Sequence, residues 1–309
     1  MSATSSHDST LVAYLQMMRP ANILTAWADI LLGYAASGAA SSLFTLTAAT
    51  SVATSASLGW LLLATTGLYG GGVVFNDVFD ADLDAEERPE RPIPSGRATK
   101  QEAIALGSIL LLVGVMAAAQ VSLLSALLSV FIAVTALSYD AIAKHHSLLG
   151  PLNMGLCRGA NLLLGVSAMP LAVESYWFLA LIPVLYIAGI TTISRGEVHG
   201  GNRSTGIVAL LLLGLVIASI AGLTLLPTYG GLGSLPFALL FVVLVLPKFV
   251  QATIAPTAEQ IRAAVKAGII CLIILDAAIA SGFTNWIYGL CVLSLLPISR
   301  GLAKLFAVT

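Results

Sequence analysis

The chain has 309 residues, 58% of them hydrophobic and only 9% charged, with 14 basic residues against 15 acidic ones and a formal net charge of -1. A soluble domain carries roughly 25% charged residues, so this composition excludes a water-soluble fold and describes an integral, multi-pass membrane protein. The near-neutral balance offers no basic face for a polyanion, which argues against nucleic acid as a partner.

Residues 1–18 read as a polar, Ser/Thr-rich tail with no Lys or Arg before Arg19. The tail lacks the charged start of a secretory signal and the Arg-rich character of a transit peptide, so the first apolar segment is expected to be retained. The whole of 1–309 then reads as a single transmembrane domain behind that tail. A bilayer core needs roughly 20 apolar residues per helix, and such runs fall near 22–40, 57–75, 103–120, 122–139, 148–171, 176–194, 206–226, 232–250, 265–282 and 286–303. The expected fold is all-α, a polytopic transmembrane bundle of nine to ten spans, the last two runs being two spans or one span and a surface helix. Cys157, Cys271 and Cys291 sit in apolar runs without metal or disulfide spacing and read as core residues.

The basic residues alternate with the spans. Arg88, Arg91, Arg97 and Lys100 follow the second run, Lys144 the fourth, Arg195 and Arg203 the sixth, Lys248, Arg262 and Lys266 surround the turn after the eighth, and Arg300 and Lys304 close the chain. The opposite loops, near 41–56, 120, 172–175, 227–231 and 283–285, contain neither Lys nor Arg. The positive-inside rule makes the basic side cytoplasmic.

The second span leaves the membrane through Asn76-Asp77-Val78-Phe79-Asp80-Ala81-Asp82-Leu83-Asp84. If the helix continues, Asp77, Asp80 and Asp84 stand at i, i+3 and i+7 and line one face, with Asn76 one turn before Asp80. Five of the 15 acidic residues crowd into the ten positions from Asp77 to Glu86. A divalent cation relieves their repulsion, and an all-oxygen set suits Mg²⁺, which recruits substrate phosphate oxygens. The bland alternative is a solvated acidic helix end. The loop Glu87-Arg88-Pro89-Glu90-Arg91-Pro92-Ile93-Pro94-Ser95-Gly96 follows; its prolines are expected to hold it extended. Arg88 and Arg91 can then reach back over the carboxylates, where guanidinium groups suit a departing diphosphate.

Arg158 lies well inside a span, so it is expected to face the bundle interior, where Asp29 or Asp276 could pair with it. Trp27, Tyr69 and Tyr139 belong either to aromatic belts or to a cavity wall.

The segment from Asn76 to Gly96 resembles the NDxxDxxxD motif and RPxPSG-like loop of the UbiA superfamily of membrane prenyltransferases. Further likeness lies in Arg19-Pro20-Ala21-Asn22, in Tyr139 and Lys144, and in Arg158, Asn161 and Gly165 as R-x-x-N-x-x-x-G. The resemblance implies a helical bundle around a cavity, in which Mg²⁺ bridges Asp-rich motifs to a prenyl diphosphate and an acceptor, usually aromatic, captures the prenyl cation. Carried over, Asn76, Asp77, Asp80, Asp84 and Glu197 would hold metal. Asn22, Arg88, Arg91, Lys144, Arg158, Asn161 and Arg203 would contact diphosphate, and Asp77, Asp80, Arg88, Arg91 and Glu197 would be the catalytic set.

The family's second Asp-rich motif is altered. The corresponding stretch, Ser194-Arg195-Gly196-Glu197-Val198-His199-Gly200-Gly201-Asn202-Arg203, contains one carboxylate, Glu197. His199 there is either a proton acceptor or ligand, or a loop residue without chemistry. This loop is similar to that of the EboC-like branch of the superfamily. Two functions follow: an Mg²⁺-dependent prenyltransferase, or a binder or transporter of isoprenoids or other metabolites that keeps the fold without catalysis. A phosphatidyl-transferring enzyme would need a DG…AR pattern that the residues after Asp84 lack.

Overall fold

The computed structural model describes residues 3–43 and 48–306, and among the described residues helix is the only regular secondary structure. In chain order the helices are α1 (Ala3–Met18), α2 (Pro20–Ala36), α3 (Ala48–Phe79), α4 (Ala81–Glu87), α5 (Lys100–Ala119), α6 (Leu123–Ala141), α7 (Leu149–Val166), α8 (Ala172–Tyr176), α9 (Leu181–Ser194), α10 (Arg203–Leu223), α11 (Gly231–Ile254), α12 (Ala258–Phe283), α13 (Trp286–Leu293) and α14 (Leu295–Leu305). Their starts are legible locally. Thr99 and Glu102 form a reciprocal capping box on α5, and Ser122, Asn202, Thr257 and Asn285 cap α6, α10, α12 and α13 with their side chains.

Eight helical segments among the described residues are long and apolar enough to cross a bilayer: Ser55–Phe79, Lys100–Ala119, Leu123–Ala141, Ala172–Ser194, Arg203–Leu223, Gly231–Ile254, Ala258–Phe283 and Trp286–Leu305. Eight of the ten expected runs are thus matched by such segments. The runs at 22–40 and 148–171 become α2 and α7, which are shorter, with 17 and 18 residues. Both carry buried polar groups: Asp29 on α2, Arg158 and Asn161 on α7. The end of the chain contributes one candidate span, broken at Ser294 between α13 and α14. The segment 1–18 is helical from Ala3, and Met17 is buried beside Val74, Val78 and Ala103. Part of the predicted 41–56 loop lies outside the described residues.

The centre of the bundle is α2 and α12. α2 is buried at 13 of its 17 positions and packs against α3, α7, α12 and α14. The approach to α7 depends on two glycines, since a Cβ at Gly33 would stand 2.2 Å from the Leu162 carbonyl oxygen and one at Gly165 would stand 2.5 Å from that of Ile30. Small residues let helix backbones come this close, and dispersion then replaces the missing hydrophobic drive between helices. Cys271 is buried as expected, whereas Cys157 is only partly buried and Cys291 is exposed on the outer surface. A thiol on a lipid-facing helix side needs no core, because lipid tails are themselves apolar.

Candidate active site

The acidic motif keeps its helical geometry across a small break. α3 ends at Phe79 and α4 begins at Ala81, yet the Asp80 amide still donates to Asn76 O at 2.9 Å, the Asp84 amide to Asp80 O at 2.8 Å, and the Arg88 amide to Asp84 O at 2.8 Å. Asp77 and Asp84 are therefore buried on one face with Asp80 partly buried beside them, while Asp82 points away and is exposed. After Arg88 the loop closes into turns, with Ser95 N donating to Arg91 O and Ala98 N to Pro92 O, and Gly96 takes φ 74°. This corrects the expectation of an extended loop drawn from its prolines. Local turn hydrogen bonds satisfy its backbone instead. Arg97 fastens the loop to α1 by donating to Gln16 Oε1 at 2.6 Å.

Each motif carboxylate meets its own cation. Arg19 Nη2 lies 2.7 Å from Asp77 Oδ1, Arg91 Nη1 lies 2.6 Å from Asp84 Oδ2 and 3.5 Å from Asp77 Oδ1, and Lys144 Nζ pairs with Asp80 Oδ1. Asn76 Nδ2 joins a fourth carboxylate to the group, donating to Asp80 Oδ2 at 3.1 Å and to Asp140 Oδ1 at 2.8 Å. Among the described residues, Arg19 is the only non-glycine residue at positive φ (49°, ψ 63°). It stands just before Pro20 at the start of α2, and the left-handed turn aims its side chain across to α3.

Arg19, Asn76 and Asp140 of this layer form the polar rim of a cavity of about 380 Å³ whose wall also includes Asn22, Tyr69, Tyr139 and Glu197, with Leu68, Ile132, Ile187 and Leu272 among its apolar side chains; Asp77, Asp80, Asp84, Arg91 and Lys144 are not part of that lining. Tyr69 and Tyr139 thus belong to the cavity. Trp27 instead packs between helices, donating from Nε1 to Thr66 Oγ1 at 2.9 Å. Glu197 reaches the cavity from the loop after α9. Burial pushes its carboxyl above the ordinary carboxylate range, and the positive charges of Arg88 and Arg262 oppose that shift.

Asn22 and Asn76 line the cavity, and Arg91 and Lys144 pair with the motif carboxylates. Arg88 makes no ion pair with the motif among the described residues, and its charge acts on Glu197. Arg203 is exposed at the first turn of α10 and does not line the cavity, and His199 is exposed. Arg158 and Asn161 lie deeper. Arg158 Nε is 2.6 Å from Asp29 Oδ2, and Asn161 donates to the same oxygen at 2.9 Å. Two members of the rim were not singled out from the sequence. Arg19 had a signal in its Arg-Pro-Ala-Asn start, and Asp140 had one in standing beside Tyr139 and four residues before Lys144.

Among the described residues, no three His, Cys, Asp or Glu side chains already converge as a metal site. The donor chemistry nevertheless fits a hard divalent cation: Asp77, Asp80, Asp84 and Asp140 offer carboxylate oxygens, and the bridging amide of Asn76 offers a carbonyl oxygen. The carboxylates are held by the same kind of cations that bind phosphate, so a magnesium–diphosphate pair presents the matching exchange partner for both sets.

A model of the UbiA prenyltransferase family matches residues 35–266. The chain belongs to that family. It is an all-helical, multi-pass membrane member, 28% identical over 209 residues to the digeranylgeranylglyceryl phosphate synthase of Ignicoccus hospitalis, a match covering 66% of this chain and 64% of that protein. The chain thus matches just under two-thirds of the length of that curated relative. Among solved structures, one described as digeranylgeranylglyceryl phosphate synthase in membranes aligns with a TM-score of 0.66 at 22% identity, over 89% of this chain and 98% of the other. A UbiA homologue from Archaeoglobus fulgidus bound to GPP and Mg²⁺ aligns with a TM-score of 0.50 at 14% identity, over 91% and 99%. These likenesses establish the fold. None of these three relatives carries the EboC-like resemblance further.

Proposed function

We propose that this UbiA family member is an Mg²⁺-dependent prenyltransferase that moves a prenyl group from a prenyl diphosphate to a hydrophobic or aromatic acceptor, with its active site on the cytoplasmic side. The observation that carries the reading is the set of three carboxylate–cation pairs, Asp77–Arg19, Asp84–Arg91 and Asp80–Lys144, joined through Arg19 and Asn76 to the lining of an apolar-walled cavity. The GPP and Mg²⁺ bound to the Archaeoglobus homologue support the same ligands here. The basic loop after α3 supports the cytoplasmic assignment.

In this reading Asn76, Asp77, Asp80 and Asp84 would hold the metal, with Asp140 and Glu197 as further carboxylates available to it. Bound there, it would supply charge neutralisation for the diphosphate. Arg19, Arg91, Lys144 and Asn22 bind the diphosphate oxygens, and Arg88 extends the positive field toward Glu197. Charge-assisted hydrogen bonds of this kind strengthen as the allylic C–O bond breaks and both its electrons leave with the diphosphate oxygen. The acceptor supplies the electron pair of the new bond and gives up a proton. The apolar wall excludes water, which would otherwise capture the prenyl cation.

The test is diphosphate release from a panel of prenyl diphosphates by wild type and Asp80→Ala in lipid nanodiscs, with Mg²⁺ or with EDTA, offering aromatic acceptors. The reading expects release by wild type with Mg²⁺ and none from the variant or with EDTA. Tight binding of prenyl diphosphate without release, across the acceptor panel, would replace it with a binding or transport role.

A further inference from the structure

A second polar layer lies far beneath the motif carboxylates. Thr65 and Asp77 are both on α3 and twelve residues apart, a separation of about 18 Å along a helix. Thr65 Oγ1 donates to Asn161 Oδ1 at 2.7 Å, and Asn161 Nδ2 donates to Asp29 Oδ2 and to Ala26 O, both at 2.9 Å. Arg158, one turn before Asn161 on α7, pairs with Asp29 at 2.6 Å, and its side chain is only 9% exposed. Asp276 of α12, itself buried, lies close enough to Asp29 to interact with it electrostatically.

The Arg158 guanidinium has a carboxylate of opposite charge at Asp29. The hydrogen bonding of the layer is incomplete, since Asp29 Oδ1, Asp276 Oδ2 and Arg158 Nη2 are all buried with no hydrogen-bond partner among the described residues. Buried donors left unpaired are rare, and each calls for an explanation. Arg158, Asn161 and Thr65 all line the same cavity as the rim.

We propose that this deep layer is a recognition site for the acceptor, taking an uncharged carbonyl or hydroxyl oxygen at the end of the acceptor remote from its nucleophilic atom. The proposal rests on the prenyl-transfer reading and deepens it. A diphosphate held at Asp77 and Asp80 is too short to reach this layer, which separates Arg158 and Asn161 from the diphosphate contacts expected of them in the sequence. Charge favours a neutral oxygen, because Asp29 already neutralises Arg158 and a second anion would lose its hydration without a cation of its own. Acceptors long enough to span rim and floor, with an oxygen at the far end, are therefore selected over those without it.

The experiment measures binding of two fluorescent probes, 6-acetyl-2-naphthol and 6-ethyl-2-naphthol, to the full chain in nanodiscs. The probes differ only in the remote carbonyl oxygen. Wild type is expected to bind the acetyl probe roughly tenfold or more tightly, the range for a hydrogen bond to a charged donor. Replacing Arg158→Met with Asp29→Leu removes the pair together and is expected to erase the preference while prenyl diphosphate affinity is retained. Arg158→Lys, which keeps the charge opposite Asp29 but lacks the second terminal nitrogen, is expected to do the same if the double variant does not fold. Equal binding of the two probes by wild type, or no binding of either, would overturn the proposal. Loss of prenyl diphosphate affinity in a folded variant would also overturn it and return Arg158 to the diphosphate site. Because the assay reads binding, a chain that releases no diphosphate would refute the transferase reading and still give a result here.

Discussion

The left-handed backbone at Arg19 gives a sharp prediction. A non-glycine residue in this region costs about 1–2 kcal/mol, and here the conformation aims the guanidinium at Asp77, whose side chain is 6% exposed. Arg19→Ala removes the ion pair and keeps the strain, whereas Arg19→Gly removes both. Asp77 retains Arg91 at 3.5 Å, so loss of Arg19 should cost less than the roughly 3–5 kcal/mol of a fully orphaned buried charge, about 1–3 kcal/mol. Relative to alanine, glycine should recover about 1 kcal/mol, since it enters positive φ without a Cβ penalty and loses part of that gain to chain entropy. Equilibrium unfolding in mixed micelles measures the difference, and both variants should lose prenyl diphosphate affinity. The strain reasoning fails if Arg19→Ala is as stable as Arg19→Gly. The functional part fails if either variant binds prenyl diphosphate as tightly as wild type.

Three further outcomes follow from the geometry. Asp77→Asn should lower Mg²⁺-dependent turnover by about a hundredfold or more, the scale of losing a charge-stabilising group at a reacting centre; Glu197→Gln, from the cavity edge, should lower it by less than about tenfold, and initial rates with saturating Mg²⁺ compare the two. Arg203→Ala should leave the KM for prenyl diphosphate within about twofold of wild type, because Arg203 is exposed and away from the cavity wall. Gly33→Val should reduce the yield of monodisperse protein on size-exclusion chromatography, since a Cβ there stands 2.2 Å from the Leu162 carbonyl oxygen and overpacking costs about 1–3 kcal/mol or more.

What the sequence made legible was local. Asn76, Asp77, Asp80 and Asp84 share one helical stretch, so their common face follows from 3.6-residue periodicity alone. Lys144 and Arg91 were legible as cations of the correct type near the membrane surface. Asp140 was not, because its link to Asn76 joins helices 64 residues apart and no spacing rule connects them. The same holds for Asp29 and Arg158: the expense of intramembrane charge signalled a partner, and tertiary packing chose Asp29 and added Asp276 behind it. The two runs without a long apolar helix have a related reason. α2 and α7 pack against other helices and carry buried polar groups, so apolar length alone describes them less well than the others. Arg203 satisfied a motif by its position in the chain, but the Asn202 cap starts α10 there and leaves the side chain in the open.

The most direct test follows an isotopically labelled prenyl group through membranes containing the full chain, with Mg²⁺ and the membranes' own lipids and quinone-like compounds as acceptors. The account predicts that label moves from prenyl diphosphate into an apolar, phosphatase-resistant product with wild type and not with Asp80→Ala. Label that remains bound to wild type as intact prenyl diphosphate, with no product under any acceptor supply, would contradict it.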